Sequence, residues 1–322
     1  MSLLPSTPAT LFHEQTAEAD RFLPEGPRPI VVDGRPALAW VNIQTAENAT
    51  AGDIHVRYWD TGEHQAFPQV KRPGFFIPTD RPNTLLVGRE KEVGTLDLST
   101  GVWTAHATIP DRNTRTIIND GEVVPGGRAI VFGTKDVRFE DTIADLYLFT
   151  LDDNRVSVLA PKQMCSNGKV FARTAEGLLL YDIDTPSRRV TRYRLDIATR
   201  QVSDPKTAID LRAAAGFPDG MVDVGDGSVI VAFYNPTSTG VGKAVRYALT
   251  TGEAVEEWTT PGSPRVTCPL LVERDGRVVL ILTTASEGMP PEMRKRCPNA
   301  GNLFVAETTL KSLPVAEHVR LG

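Results

Sequence analysis

Cysteine is scarce in this 322-residue chain: Cys165, Cys268 and Cys297 are the full complement, too few and too scattered for a disulfide scaffold. Long apolar runs are missing as well, so no segment reads as a membrane-spanning helix. The stretch from Met1 to Gln15 has neither the basic nor the apolar region of a secretory signal. A basic surplus is also lacking. With 35 Lys and Arg against 40 Asp and Glu, the net charge of −5 offers no attraction to nucleic acid or anionic lipid. Helical patterning is nearly absent, since 24 prolines and 26 glycines interrupt the chain and residues 207–215 are its one short amphipathic stretch. A doubly wound α/β fold is thereby excluded. What remains is a cytoplasmic protein, 41% hydrophobic and able to bury a core, with no obligate protein partner evident.

Several catalytic signatures are missing too. No Gly-x-Ser-x-Gly elbow occurs, and His13-Glu14 lacks the second histidine of a zinc protease. Gly240-Val241-Gly242-Lys243-Ala244 lacks the remaining elements of a phosphate-binding loop and reads as a plain loop. The five histidines share no metal-ligand spacing, Cys165 and Cys268 read as small packing residues, and the four tryptophans read as core.

What the chain does have is a repeat. Six times an apolar segment, a tight polar turn and a second apolar segment follow one another. The turns are Asp33-Gly34, Arg81-Pro82, Gly126-Gly127, Glu176-Gly177, Asp226-Gly227 and Asp275-Gly276, spaced 45–50 residues apart. A second series, Thr61-Gly62, Thr100-Gly101, Asp153-Asn154, Thr199-Arg200 and Thr251-Gly252, falls between them. Two hairpins per unit make four antiparallel strands, the blade of a β-propeller. The sequence therefore predicts an all-β fold, a single six-bladed β-propeller domain over residues 1–322.

The first strand of each blade starts at one mouth of the central tunnel. Eight to ten residues before the first-hairpin turns stand Glu25, Asn119, Asn167 and Asp219 in four of the six units. Taken singly, Asn-Gly or Asp-Gly is an ordinary turn dipeptide. Four in register would converge on one point, where carboxylates without a cation would repel and protonate. Two carboxylates and two carboxamides form an all-oxygen cage suited to a hard divalent ion.

The ordered set Leu23-Pro24-Glu25-Gly26-Pro27, Asn119-Asp120-Gly121, Ser166-Asn167-Gly168 and Pro218-Asp219-Gly220-Met221 resembles the family of regucalcin, gluconolactonase and luciferin-regenerating enzyme. The resemblance runs from about Leu23 to Phe304, taking in Val131-Phe132-Gly133-Thr134 and Pro298-Asn299-Ala300-Gly301-Asn302. It implies one divalent metal, Ca2+ first with Mg2+, Mn2+, Zn2+ or Fe2+ as alternatives, held by Glu25, Asn167 and Asp219. Asn119 would touch substrate or bound water, and Glu140 falls where some members offer a substrate-contacting acid. Ile117 stands where sugar lactonases carry an arginine, and Arg115 is displaced by two residues.

The implied chemistry is lactone opening, with the carbonyl polarised by the metal and Asp219 acting as general base toward water. Alternatives are a non-enzymatic calcium-binding propeller, or the same pocket acting on an organophosphate or another non-sugar ester. Specificity is expected from the second-to-third-strand loops, residues 44–53, 135–143, 235–243 and 286–298, the first of them a candidate lid.

Overall fold

The computed structural model describes residues 4–175, 177–237 and 240–322. Six sheets follow one another along the chain, over residues 24–69, 73–108, 116–163, 166–210, 217–261 and 266–307. They are blades 1 to 6 of a six-bladed β-propeller, with antiparallel strands laid down in chain order. Both turn series fall between strands. At Asp33-Gly34 and Asp275-Gly276 both turn residues have positive φ (51° and 77°, 52° and 72°). That pair of conformations matches a two-residue turn to the twist of its strands. Of the Glu176-Gly177 turn, Glu176 lies outside the described residues.

Each blade's second strand is sandwiched between neighbours and buries both faces. Ala129–Asp136 is buried at every position, and its Ala-Ile-Val-Phe start has the unbroken apolar character such burial requires. The outermost strands, such as Gln201–Asp210, are largely exposed and correspondingly polar. Trp40 and Trp258 are fully buried core, whereas Trp59 and Trp103 are only partly buried against it. Residues 207–215 give no helix, and Pro291–Arg296, within the long connection of blade 6, is the one α-helix among the described residues. No helix of the described residues is long and apolar enough to cross a membrane.

The chain termini add what the repeat did not specify. Thr10–His13 is the outermost strand of blade 6, antiparallel to Leu303–Glu307, so the N-terminal segment closes the ring. Ser6–Pro8 runs parallel to Ala254–Pro261 and makes blade 5 five-stranded rather than four-stranded. The loop expected at 235–243 is shorter, because the strand Val241–Ala248 begins inside it. Gly242-Lys243-Ala244 is therefore ladder, not loop, and of the connecting loop residues 238–239 lie outside the description. Beyond Glu307 the chain crosses the far mouth of the tunnel. There the Arg320 amide donates to the Gly127 carbonyl at 2.8 Å, and the Val319 amide to Pro78 at 2.9 Å. Between this tail and the far ends of the inner strands lies a cavity of ≈ 460 Å³, lined from all six blades.

Candidate functional site

All six inner strands break register with their neighbour at one height, near the mouth opposite the C-terminal tail. The breaks fall between Glu25 and Arg28, Pro73 and Phe75, Ile118 and Gly121, Asn167 and Lys169, Pro218 and Met221, and Val266 and Pro269. A bulge leaves a residue unpaired and re-aims its side chain. Asn119 and Asp219 lie within such breaks, and Glu25 and Asn167 at their edges. The glycines that follow allow neighbouring inner strands to close in. A Cβ at Gly168 would sit 2.5 Å from the Met221 amide, and one at Gly220 would sit 2.6 Å from the Cys268 sulfur.

Asn119 and Asn167 meet directly. Asn119 Nδ2 donates to Asn167 Oδ1 at 2.8 Å and to the Ser166 carbonyl at 3.0 Å. Asn167 Nδ2 donates in turn to Thr185 Oγ1 at 2.8 Å, which fixes the direction of its amide oxygen. The Asn167 backbone carbonyl accepts from Lys169 Nζ, a wholly buried ammonium 3.5 Å from Asp182. Asn167 is thus held from its backbone and from both ends of its amide, as a preorganised donor would be.

Glu25, half-buried, and Asp219, buried, act on each other electrostatically. Burial pushes the Glu25 carboxyl well above its ordinary range, the Asp219 and Asp120 carboxylates add to this, and Lys135 opposes it. Asp219 is likewise raised, by burial first and then by Asp120, with Lys135 again opposing. Among the described residues neither acid forms an ion pair. Two acids in this position hold protons unless a cation joins them. Asn167 Oδ1 accepts one hydrogen bond and retains a second lone pair. The donor set of Glu25, Asp219 and Asn167 therefore fits a divalent ion that prefers oxygen.

The other expected substrate contacts lie elsewhere. Ile117 is 1% exposed and packs into an apolar cluster with Val41, Ile43, Phe76 and Val87. Arg115 is committed to Asp136 at 2.8 Å and Asp141 at 2.6 Å. Glu140 is exposed and 3.4 Å from the same guanidinium. Of the Asn119, Ile117 and Glu140 trio, only Asn119 hydrogen-bonds to Asn167.

Sequence reasoning passed over several groups at the mouth. Lys135, next to last in the second strand of blade 3, is buried and forms no ion pair among the described residues. Its signal was a lysine in the polar end of a strand that starts apolar. Arg265 is buried as well, with Nη1 3.3 Å from the Tyr234 hydroxyl, which itself donates to Glu287 Oε2 at 3.3 Å. Asp120, half-buried and raised by burial, follows Asn119 in the same bulge. Cys165 and Cys268 read in the sequence as packing residues: Cys165 is indeed buried beside Asn167, 3.4 Å from its Nδ2, whereas Cys268 is only partly buried, its thiol pushed up by burial and then by Glu25, Asp120 and Asp219.

Comparison with known proteins adds an independent line. The profile described as "SMP-30/Gluconolactonase/LRE-like region" matches residues 23–286. YvrE of Bacillus subtilis, provisionally named a sugar lactone lactonase, is 32% identical over 59% of this chain and 61% of its own length. The match thus spans less than two thirds of that relative. L-arabinolactonase of Azospirillum brasilense is 28% identical over 86% of each chain. The crystal structure of regucalcin from Agrobacterium tumefaciens, titled a calcium-binding protein, superposes with a TM-score of 0.78 at 21% identity. It covers 98% of this chain and 100% of its own, a likeness of fold.

Proposed function

Since the chain belongs to the SMP-30/gluconolactonase/LRE-like family, we propose that it is a divalent-metal-dependent lactonase whose site is the tunnel mouth around Glu25, Asn167 and Asp219. The observation that carries this reading is the pair of tunnel acids, both raised by burial and neither in an ion pair among the described residues, beside a carboxamide locked in place. Arabinolactonase and the lactonase name given to YvrE support the reaction class.

When bound by these three side chains, a divalent ion supplies Lewis acidity toward the carbonyl of a cyclic ester. The oxygen-only donor set favours Ca2+, with Mg2+, Mn2+, Zn2+ or Fe2+ as alternatives. Asp219 accepts the proton of a water as its oxygen attacks the acyl carbon. The ring C–O bond then breaks, and the leaving alkoxide takes that proton back from Asp219, giving the hydroxy acid. Asn119 uses its Nδ2 on Asn167 and Ser166, which leaves its carboxamide oxygen to accept from a substrate hydroxyl or water. Lys135, buried at the mouth, opposes the rise of both acids.

No guanidinium from the inner strand of blade 3 is offered to substrate hydroxyls, because Ile117 has no donor and Arg115 is held by Asp136 and Asp141. Each buried hydroxyl left unpaired costs about 1–3 kcal/mol. We therefore assign a γ- or δ-lactone with few hydroxyls as the better substrate, rather than gluconolactone or galactonolactone. The three free thiols are consistent with a reducing, cytoplasmic setting. A panel of both lactone classes, assayed with and without chelator, tests the reading. Metal-dependent turnover with higher kcat/KM for the less hydroxylated class supports it. Stoichiometric metal binding without turnover of any lactone or ester would leave a calcium-binding propeller instead.

A further inference from the structure

Three of the five histidines, unremarkable by spacing, come together where the ring closes. His13 ends the N-terminal closure strand, and His55 and His64 lie on the third and fourth strands of blade 1. His55 and His64 stack on each other with centroids 5.1 Å apart and on Trp40 at 5.2 Å and 5.4 Å, and His13 meets His64 at 4.7 Å. His55 is wholly buried, and its Nδ1 is 2.9 Å from His64 Nε2. Its Nε2, like the Nε2 of His13, is buried with no hydrogen-bond partner. Unpaired buried nitrogens of this kind need an explanation, an ion or a water among them.

Two carboxylates face the same place. A ring nitrogen of His55 and one oxygen each from Asp20 and Asp53 lie within 4.8 Å of one another. Asp20 sits in the short 3-10 turn Ala19–Arg21 that links the closure strand to blade 1, and Asp53 stands two residues before His55. Both acids are half-buried, which leaves a path from solvent. Neither forms an ion pair among the described residues, and none of the tunnel acids acts on them. Burial raises both carboxyls, Asp20 adds to the rise of Asp53, and burial depresses all three imidazoles, His55 to about 3 and His13 to about 4.

We propose that Asp20, Asp53 and His55 form a second metal site, for a divalent transition ion of the zinc class, at the seam between the N-terminal segment and blade 1. Two carboxylates balance a divalent charge. One imidazole with two carboxylates is a donor set that Zn2+ accepts, whereas Ca2+ requires six to eight oxygens. The contact between His55 Nδ1 and His64 Nε2, with the stacking on Trp40, fixes the orientation of the His55 ring. An ion here ties Asp20, just past the closure strand, to the third strand of blade 1. Its effect is to clip the ring shut.

The test uses full-length protein carrying Asp219→Asn, which weakens the tunnel site, stripped with chelator and titrated with ZnCl2 or CaCl2. The proposal expects one Zn2+ per chain, a rise in Tm of several degrees with Zn2+, and no rise with Ca2+ in this background. Adding Asp20→Asn and Asp53→Asn should weaken Zn2+ binding at least 100-fold and remove the Tm response. The stripped Tm of that variant should equal or exceed its parent's, because two uncompensated acids are gone. Unchanged Zn2+ affinity in the variant overturns the proposal, as does the absence of Zn2+ binding in the parent. Should the variant misfold, imidazole nitrogen spectra of the parent decide the question. Zn2+ must shift the His55 ring nitrogens and leave those of His106 and His318 in place; unshifted His55 signals overturn the proposal.

Discussion

Replacing Asp219 by asparagine separates two effects of the tunnel acids in one melting experiment. In metal-free protein, burial and neighbouring carboxylates hold the Glu25 and Asp219 carboxyls above their ordinary range. A carboxyl raised on folding binds its proton more tightly in the native state than in the unfolded chain. Its stabilising contribution is therefore complete below the ordinary carboxyl pKa and is lost as pH rises through the raised value. Asp219→Asn cannot suffer that loss, so its Tm should gain on metal-free wild type as pH rises from about 4 toward neutrality. Calcium acts in the opposite sense. At a concentration about 100 times Kd, binding to the native state alone adds about 2.7 kcal/mol. With an unfolding entropy of about 2.1 cal/mol/K per residue, the 322 residues give about 0.7 kcal/mol per degree, so wild type should gain about 4 °C. Asp219→Asn should gain less than about 1 °C, because one of two charges opposing ion dehydration is missing. Scanning calorimetry across pH, with EGTA and then with excess CaCl2, reads both. An undiminished calcium shift in the variant, or a gap to wild type that does not widen with pH, would refute the reasoning.

Three further outcomes are expected. Ile117→Ala, in a wholly packed cluster, should cost about 2–5 kcal/mol, read as a Tm lowered by about 3–7 °C, with the KM of the preferred lactone little changed; a large KM change with unaltered Tm would place Ile117 at the substrate instead. Lys135→Met removes the charge that holds the tunnel carboxyls down, so the pH midpoint of calcium binding, measured by calorimetric titration, should move upward. A chain ending at Asn299 loses Leu303–Glu307, the strand that pairs with Thr10–His13, and should be insoluble or melt far lower because blade 6 is left with an open edge; an unchanged Tm would contradict this closure.

The hairpins were legible because their determinants are local. Asp33-Gly34 and Asp275-Gly276 carry the left-handed conformations of a two-residue turn in the turn residues themselves. The ring of bulges was not, since a bulge is a mismatch in pairing between strands and has no pattern within one of them. Its trace was a glycine at the break in several blades, Gly74, Gly121, Gly168 and Gly220, where neighbouring inner strands leave no room for a Cβ. Ser6–Pro8 escaped notice because its three members are polar or proline and Pro5 precedes them, a composition tolerable only in a strand at a sheet edge. Lys135 and Arg265 were hidden for another reason. Nothing in a sequence separates a lysine at the end of a strand facing solvent from one turned into a tunnel. The histidine cluster failed the spacing criterion because His13 reaches His64 only when the N-terminal strand closes the ring.

The central claim is that Glu25, Asn167 and Asp219 hold the ion on which lactone hydrolysis depends. The most direct test is to strip the protein with chelator and return Ca2+ in fractions of an equivalent while following ring opening of a lightly hydroxylated γ-lactone. The account predicts negligible turnover in the stripped protein, a linear recovery that saturates at one equivalent, and no recovery in Glu25→Gln or Asp219→Asn. Turnover that survives chelation, or recovers equally in either variant, would contradict it.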